Sequence, residues 1–127
     1  MQKENYTILY IEDEDGTRVN IVKSLRLKYN LVLEAKDGLE GYRLYKEYNV
    51  DLIITDLLMP NMDGMEFLKK IRQEGSEIPA IIMSAYSDQK KLSEATELNI
   101  VEYVIKPISR AKLKEVLILG LSNVKVK

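Results

Sequence analysis

The sequence predicts an α/β domain in which five short parallel strands alternate with five helices, a doubly wound (βα)5 sheet. Three observations carry this prediction. Apolar runs of strand length alternate with stretches of helical periodicity along the chain, without a composition break or an internal repeat. The run Leu52-Ile53-Ile54 lacks polar alternation, which suits a strand covered on both faces. The surrounding stretch, Asp51-Leu-Ile-Ile-Thr-Asp-Leu-Leu-Met-Pro-Asn-Met-Asp-Gly64, reads as strand, acidic tip, rigid loop and helix start. Pro60 blocks any immediate helix, because it lacks an N–H and restricts its predecessor.

Residues 6–11, Tyr-Thr-Ile-Leu-Tyr-Ile, form the first strand by β-branched and aromatic content. Glu12, Asp13, Glu14 and Asp15 follow. Such a run is ordinarily a solvated loop, with Glu14 or Asp15 as a cap, but this one falls at the carboxyl end of a strand. A helix over about 15–29 brings Val19, Val22, Leu25 and Tyr29 near one face. Leu31–Ala35 is the second strand. Asp37 and Glu40 have capping-box spacing, and the helix they open runs to about Tyr48. Leu39, Tyr42 and Tyr45 lie on one stripe, and the tyrosines Tyr42, Tyr45 and Tyr48 read as core edge, not as a cofactor site.

The third strand ends at Asp56. Asp63 and Glu66 repeat the capping-box spacing, and the helix over 64–74 buries Met65, Leu68 and Ile71 before Gly75 ends it. Pro79–Met83 is the fourth strand, followed by Ser84 and Ala85. A helix over about 88–98, capped by Ser87 or Asp88, stops at Asn99 in a left-handed conformation. Ile100–Ile105 is the fifth strand, closed by Lys106-Pro107, and Ser109 caps a last helix to about Leu121. Residues 1–123 make one domain, and 124–127 form a tail or the start of a linker.

Composition excludes several chemistries. With neither cysteine nor histidine, the chain has no disulfide, thiolate or imidazole metal site, and no Ser-His or Cys-His nucleophile. The 19 basic and 20 acidic residues leave a formal charge of −1, so nothing suggests direct nucleic-acid or membrane binding. The start has no signal-peptide core, and no apolar run approaches membrane-spanning length. A cytoplasmic protein is the resulting expectation.

Four of the five predicted strands end in a polar candidate: Glu12 and Asp13, then Asp56, Ser84 and Lys106. A parallel sheet gathers such ends along one edge, bordering its ligand crevice. Clustered carboxylates resist full ionisation unless a cation joins them, and oxygen-only ligands suit Mg²⁺ far better than zinc. A lysine ammonium and a serine hydroxyl can hold phosphate oxygens, and a carboxylate such as Asp56 can act as nucleophile to form an aspartyl phosphate.

The pieces Ile8-Leu-Tyr-Ile-Glu-Asp-Glu, Ala35-Lys-Asp-Gly, Asp51–Gly64, Ile82-Met-Ser-Ala and Tyr103-Val-Ile-Lys-Pro stand in the order and spacing of one family. Over essentially its whole length the sequence resembles the receiver domain of two-component response regulators, of the chemotaxis-receiver type. The resemblance implies a flavodoxin-like sheet of order 2-1-3-4-5. It implies that Asp56 accepts the phosphoryl group. Asp13, Asp56 and the backbone carbonyl of Leu58 would hold Mg²⁺, or Mn²⁺ as a substitute, with Glu12 acting through water. Lys106, Ser84 and the backbone of Ala85 would contact the phosphoryl group, a cis bond to Pro107 would aim the lysine, and Ser84 with Tyr103 would form a switch pair. Family members more often have threonine at Ser84, aspartate at Glu12 and glycine at Asn99.

The implied partners are a sensor histidine kinase or histidine phosphotransfer protein, and a downstream protein. The latter would be met on the face made by the 88–98 helix, the 100–105 strand and the last helix. Such a domain is not an enzyme in the usual sense, although it catalyses its own phosphorylation and slow dephosphorylation. The alternative is a pseudo-receiver, the same fold used as a phosphorylation-independent binding module; such proteins usually lack an acidic or lysine position, and none is missing here. An aspartate-nucleophile phosphatase would commonly carry a second aspartate where Leu58 stands. A flavin domain would need phosphate-cradling groups where acids line the first loop.

Overall fold

The computed structural model describes residues 2–85, 90, 93 and 98–124. The strands are β1 (Glu4–Ile11), β2 (Tyr29–Ala35), β3 (Leu52–Asp56), β4 (Ala80–Ser84) and β5 (Ile100–Ile105), and the described helices are α1 (Asp15–Arg26), α2 (Gly38–Glu47), α3 (Gly64–Gln73) and α4 (Arg110–Leu121). The strands form one parallel sheet in the order β2-β1-β3-β4-β5. The helix predicted over 88–98, its Ser87 or Asp88 cap and Tyr86 fall almost wholly outside the described residues.

Side chains alternate across a strand, so each strand feeds two cores. Ile8, Tyr10, Leu52, Ile54, Ile81 and Met83 pack with Val22 and Leu25 of α1 and with Leu113, Val116 and Leu117 of α4. Leu9, Ile11, Ile53 and Ile82 pack on the other face with Met65, Phe67, Leu68 and Ile71 of α3. The unbroken apolar run in β3 is thus shared between the two cores, and all five of its residues are buried.

Several predicted details are corrected. β1 and β2 each begin two residues earlier than their patterns suggested, because Glu4 pairs with Tyr29 beyond the apolar runs. Consequently α1 ends at Arg26 and Tyr29 is a strand residue, 2 % exposed. Val19 is 52 % exposed, since the buried side of α1 is carried by Val22 and Leu25. Leu39 is likewise exposed: α2 rests on the molecule through Gly38 and Gly41, with Tyr42, Leu44 and Tyr45 half-buried at its flank. The Tyr45 ring meets Phe67 edge-on at 6.5 Å, which fits its place at the core edge.

The caps follow the sequence more closely. Asp63 and Glu66 complete a reciprocal capping box, worth about 1 kcal/mol. Ser109 accepts from Lys112 N–H at the start of α4, and Glu14 caps α1 by accepting from Gly16 and Thr17. Asp37 caps α2 through Glu40 N–H, but Glu40 turns to the N–H of Lys36, so the predicted box at α2 is only half formed. Gly75 and Asn99 have left-handed φ of 92° and 55°. At the other end, Val124 still packs partly against the first core, and its carbonyl accepts from the Tyr6 hydroxyl at 3.5 Å.

Candidate functional site

Register brings the acids together. Ile11 pairs with Thr55, so the next residues, Glu12 and Asp56, leave neighbouring strands side by side. Ser84 pairs with Ile105, and Lys106 N–H donates to the Ser84 carbonyl at 2.8 Å, which turns the lysine toward the same edge. Carboxylate oxygens of Glu12, Asp13 and Asp56 lie within 4.8 Å of one another. Asp13 is exposed, whereas Asp56 is 6 % exposed and Glu12 is fully buried.

Lys106 bridges two of the acids. Its Nζ donates to Asp56 Oδ2 at 2.9 Å and to Glu12 Oε2 at 3.3 Å. Glu12 Oε1 is 3.0 Å from the same nitrogen, yet off the direction a hydrogen bond needs, and this buried oxygen has no hydrogen-bond partner among the described residues. Burial, reinforced by Asp56, raises the Glu12 pKa above the ordinary carboxylate range in spite of Lys106. Burial pulls the lysine the other way, but its bonds to Asp56 and Glu12 outweigh that and raise its pKa. The ammonium therefore stays charged.

The donors fit a hard divalent ion. All are oxygens, the buried Glu12 Oε1 accepts no hydrogen bond among the described residues, and the chain has no cysteine or histidine to compete. The three carboxylates lie close enough together to hold one metal ion.

The other predicted residues lie around this centre. The Ser84 hydroxyl is 1 % exposed and unpartnered among the described residues. The Lys106–Pro107 peptide is cis. Leu58 is 45 % exposed, unlike buried Leu57, whose N–H donates to Asp56 Oδ1 at 3.0 Å. Tyr103 is half-buried and packs against the α3-side core, which raises its pKa. Tyr10, Thr17, Ile21, Met83 and Pro107 join Glu12 and Lys106 around an adjoining pocket of about 420 Å³.

Two supporting groups escaped the sequence reading. Arg18 is largely buried and donates to the Glu12 carbonyl at 2.9 Å, to Asp15 at 2.7 Å and to Glu34 at 3.2 Å, pinning the acidic loop from behind. Its only signal was the i, i+3 spacing to Asp15. The second is the pair Asp37 and Asn61, whose contact joins loops 24 residues apart. The left-handed φ of Asn61, 68°, is typical of asparagine in a turn, but nothing local names its partner.

Comparison with known proteins agrees with this architecture. The model of the response regulator receiver domain matches residues 8–118. Chemotaxis protein CheY-3 of Vibrio cholerae is 35% identical over 116 residues, covering 88% of each chain. The probable C4-dicarboxylate response regulator DctR of Priestia megaterium is 32% identical over 119 residues, covering 92% of this chain, which spans only 52% of that protein. A response regulator receiver domain from Clostridium thermocellum superposes with a TM-score of 0.84 at 28% identity, covering 92% of this chain and 94% of its own. This chain belongs to the family of response regulator receiver domains.

Proposed function

We propose that the domain is a phosphorylation-dependent switch that takes a phosphoryl group onto Asp56. The observation that carries this reading is the shared ammonium: Lys106 lies 2.9 Å from Asp56 at the mouth of a three-carboxylate cluster. In the transfer, an Asp56 carboxylate oxygen attacks phosphorus, the bond from phosphorus to the donor's imidazole nitrogen breaks, and that nitrogen keeps the electron pair. Lys106 moves its charge onto the phosphoryl oxygens, and the unpartnered Ser84 hydroxyl donates to another. Asp13, Asp56 and the Leu58 carbonyl would hold Mg²⁺ directly and Glu12 through water; the ion supplies charge neutralisation of the transferring group. The domain is then a catalyst only of its own phosphorylation and slow hydrolysis.

The donor would be the phosphohistidine of a sensor kinase or phosphotransfer protein. A groove of about 920 Å³ between α1 and α4 is floored by Leu25, Leu113 and Leu117 and rimmed by Lys23, Arg110 and Lys114, beside the Lys106-Pro107 turn. Its basic rim suits an acidic partner surface. The domain shows no helix, among the described residues, long and apolar enough to cross a membrane, and we place it in the cytoplasm with its kinase's catalytic parts.

Acetyl phosphate with Mg²⁺ tests the chemistry. Intact mass should rise by one phosphoryl group, lost on hydroxylamine treatment and absent in Asp56→Asn. A hydroxylamine-resistant adduct, or one retained by Asp56→Asn, would favour a phosphorylation-independent binding module.

A further inference from the structure

The loop between Asp56 and Asp63 carries the backbone that leads out of the acceptor, and it is held at two places. Its neck is closed by Leu57, whose N–H donates to the Met83 carbonyl at 2.9 Å and whose carbonyl accepts from Gly64 N–H at 2.9 Å. Its tip is held from outside the sheet edge. Gly38 N–H donates to the Met62 carbonyl at 2.8 Å, and the Asn61 side-chain amide donates to Asp37 Oδ2 at 2.8 Å. The approach at Gly38 is so close that a Cβ there would stand 2.4 Å from the Met62 carbonyl oxygen. Between neck and tip only Leu58, Met59 and Pro60 span the distance, and Met59 and Met62 pack against the α3-side core.

Asp37 is 5 % exposed and uses its two oxygens for two tasks: Oδ1 caps α2 through Glu40 N–H, and Oδ2 receives Asn61. The cap explains an acid at this position; it does not explain the second bond. A short span pinned at both ends has little freedom, and ligand groups on it keep their placement without ordering cost when an ion arrives.

We propose that Asp37 and Asn61 are a positioning pair for the metal-binding loop, fixing from the β2–α2 corner the course of residues 58–60 and with it the Leu58 carbonyl. This rests on the receiver reading of the site. Outer partners that hold a ligand in place contribute to metal affinity without touching the metal.

The two tasks of Asp37 separate by substitution. Asp37→Ser keeps a capping oxygen but is too short to reach Asn61. Asn61→Gly removes the amide and tolerates the left-handed φ. Asp37→Asn keeps the cap, and its amide pairs with Asn61 once that amide turns over. Mg²⁺ affinity of the purified chain is measured by calorimetric titration, with melting curves alongside. Asp37→Ser and Asn61→Gly should each weaken Mg²⁺ binding about tenfold, the double variant should be no weaker than either single, and Asp37→Asn should stay close to wild type. In the metal-free protein, amide signals of residues 58–62 should move in the same variants. Unchanged affinity in the two single variants, or losses that simply add in the double, overturns the pair. If the wild type itself fails to bind Mg²⁺, the receiver reading falls and takes the proposal with it, an outcome distinct from binding that the variants leave untouched.

Discussion

Lys106 Nζ stands 2.9 Å from Asp56 Oδ2 and 3.0 Å from Glu12 Oε1, so one ammonium serves carboxylates borne on two strands. In the absence of metal this lysine is what makes the acidic cluster tolerable, and a divalent ion would compete with it for the same oxygens.

Lys106→Ala should therefore lower metal-free stability by about 1–3 kcal/mol, below the cost of breaking a fully buried pair because the lysine side chain is 29% exposed. The variant should also be stabilised more by Mg²⁺ than wild type, whose own gain at ten times Kd is about 1.4 kcal/mol. Melting curves with and without millimolar Mg²⁺ measure both. Equal Mg²⁺ shifts in the two proteins would show that the lysine and the ion do not share ligands.

Ser84 should behave oppositely at rest and when phosphorylated. Its hydroxyl is buried without a partner among the described residues, a cost of about 1–3 kcal/mol. Ser84→Ala should hold or raise resting stability, by up to about 1 kcal/mol, while the phosphorylated variant should lack the Tyr103 amide shifts expected of phosphorylated wild type. Loss of resting stability, or retention of those shifts, contradicts the assigned role.

Gly64 is the tightest point of the acceptor loop. A Cβ there would meet the Asp56 carbonyl oxygen at 2.1 Å; that oxygen is backbone and a Cβ is fixed by its own backbone, so neither can rotate away. Gly64→Ala should destabilise by about 1–3 kcal/mol and slow phosphorylation by acetyl phosphate, since Asp56 itself must move. A phosphorylation rate equal to wild type would mean that the shift is absorbed elsewhere.

Tyr29 makes a pH-dependent contribution. Burial, with the charges of Glu4 and Tyr6, pushes its pKa from 10.0 up to about 12. The folded state keeps the phenol proton longer than the unfolded one, so this contribution is complete below pH 10 and is lost as pH rises toward 12, amounting to about 2–3 kcal/mol. Tyr29→Phe keeps the ring and removes the titration, so its alkaline unfolding midpoint should lie higher than that of wild type. Coincident midpoints in far-ultraviolet circular dichroism would refute it.

The elements with the clearest local signals were legible in the sequence. The unalternated run at 52–54, the reciprocal pair Asp63 and Glu66 and the Ser109 cap all appear where their patterns put them. The reason is that period, turn chemistry and capping act within a few residues. The acids and the lysine were also legible as residues at strand ends, because a parallel sheet gathers those ends on one edge.

What the sequence alone could not decide was anything set by partners distant along the chain. The buried Glu12 carboxylate is paired by Lys106, 94 residues away, and its backbone carbonyl is held by the arginine behind its loop. Val19 and Leu39 had the right spacing for the core and are exposed, because the packing of α1 and α2 on the sheet, not periodicity, selects which side is covered. Asp37 read as half of a capping box, and only the fold shows that its second oxygen receives Asn61 while Glu40 turns to the Lys36 N–H. Local free energies of about 1 kcal/mol set caps and turns, whereas these placements follow from how whole elements dock, which no short window of sequence contains.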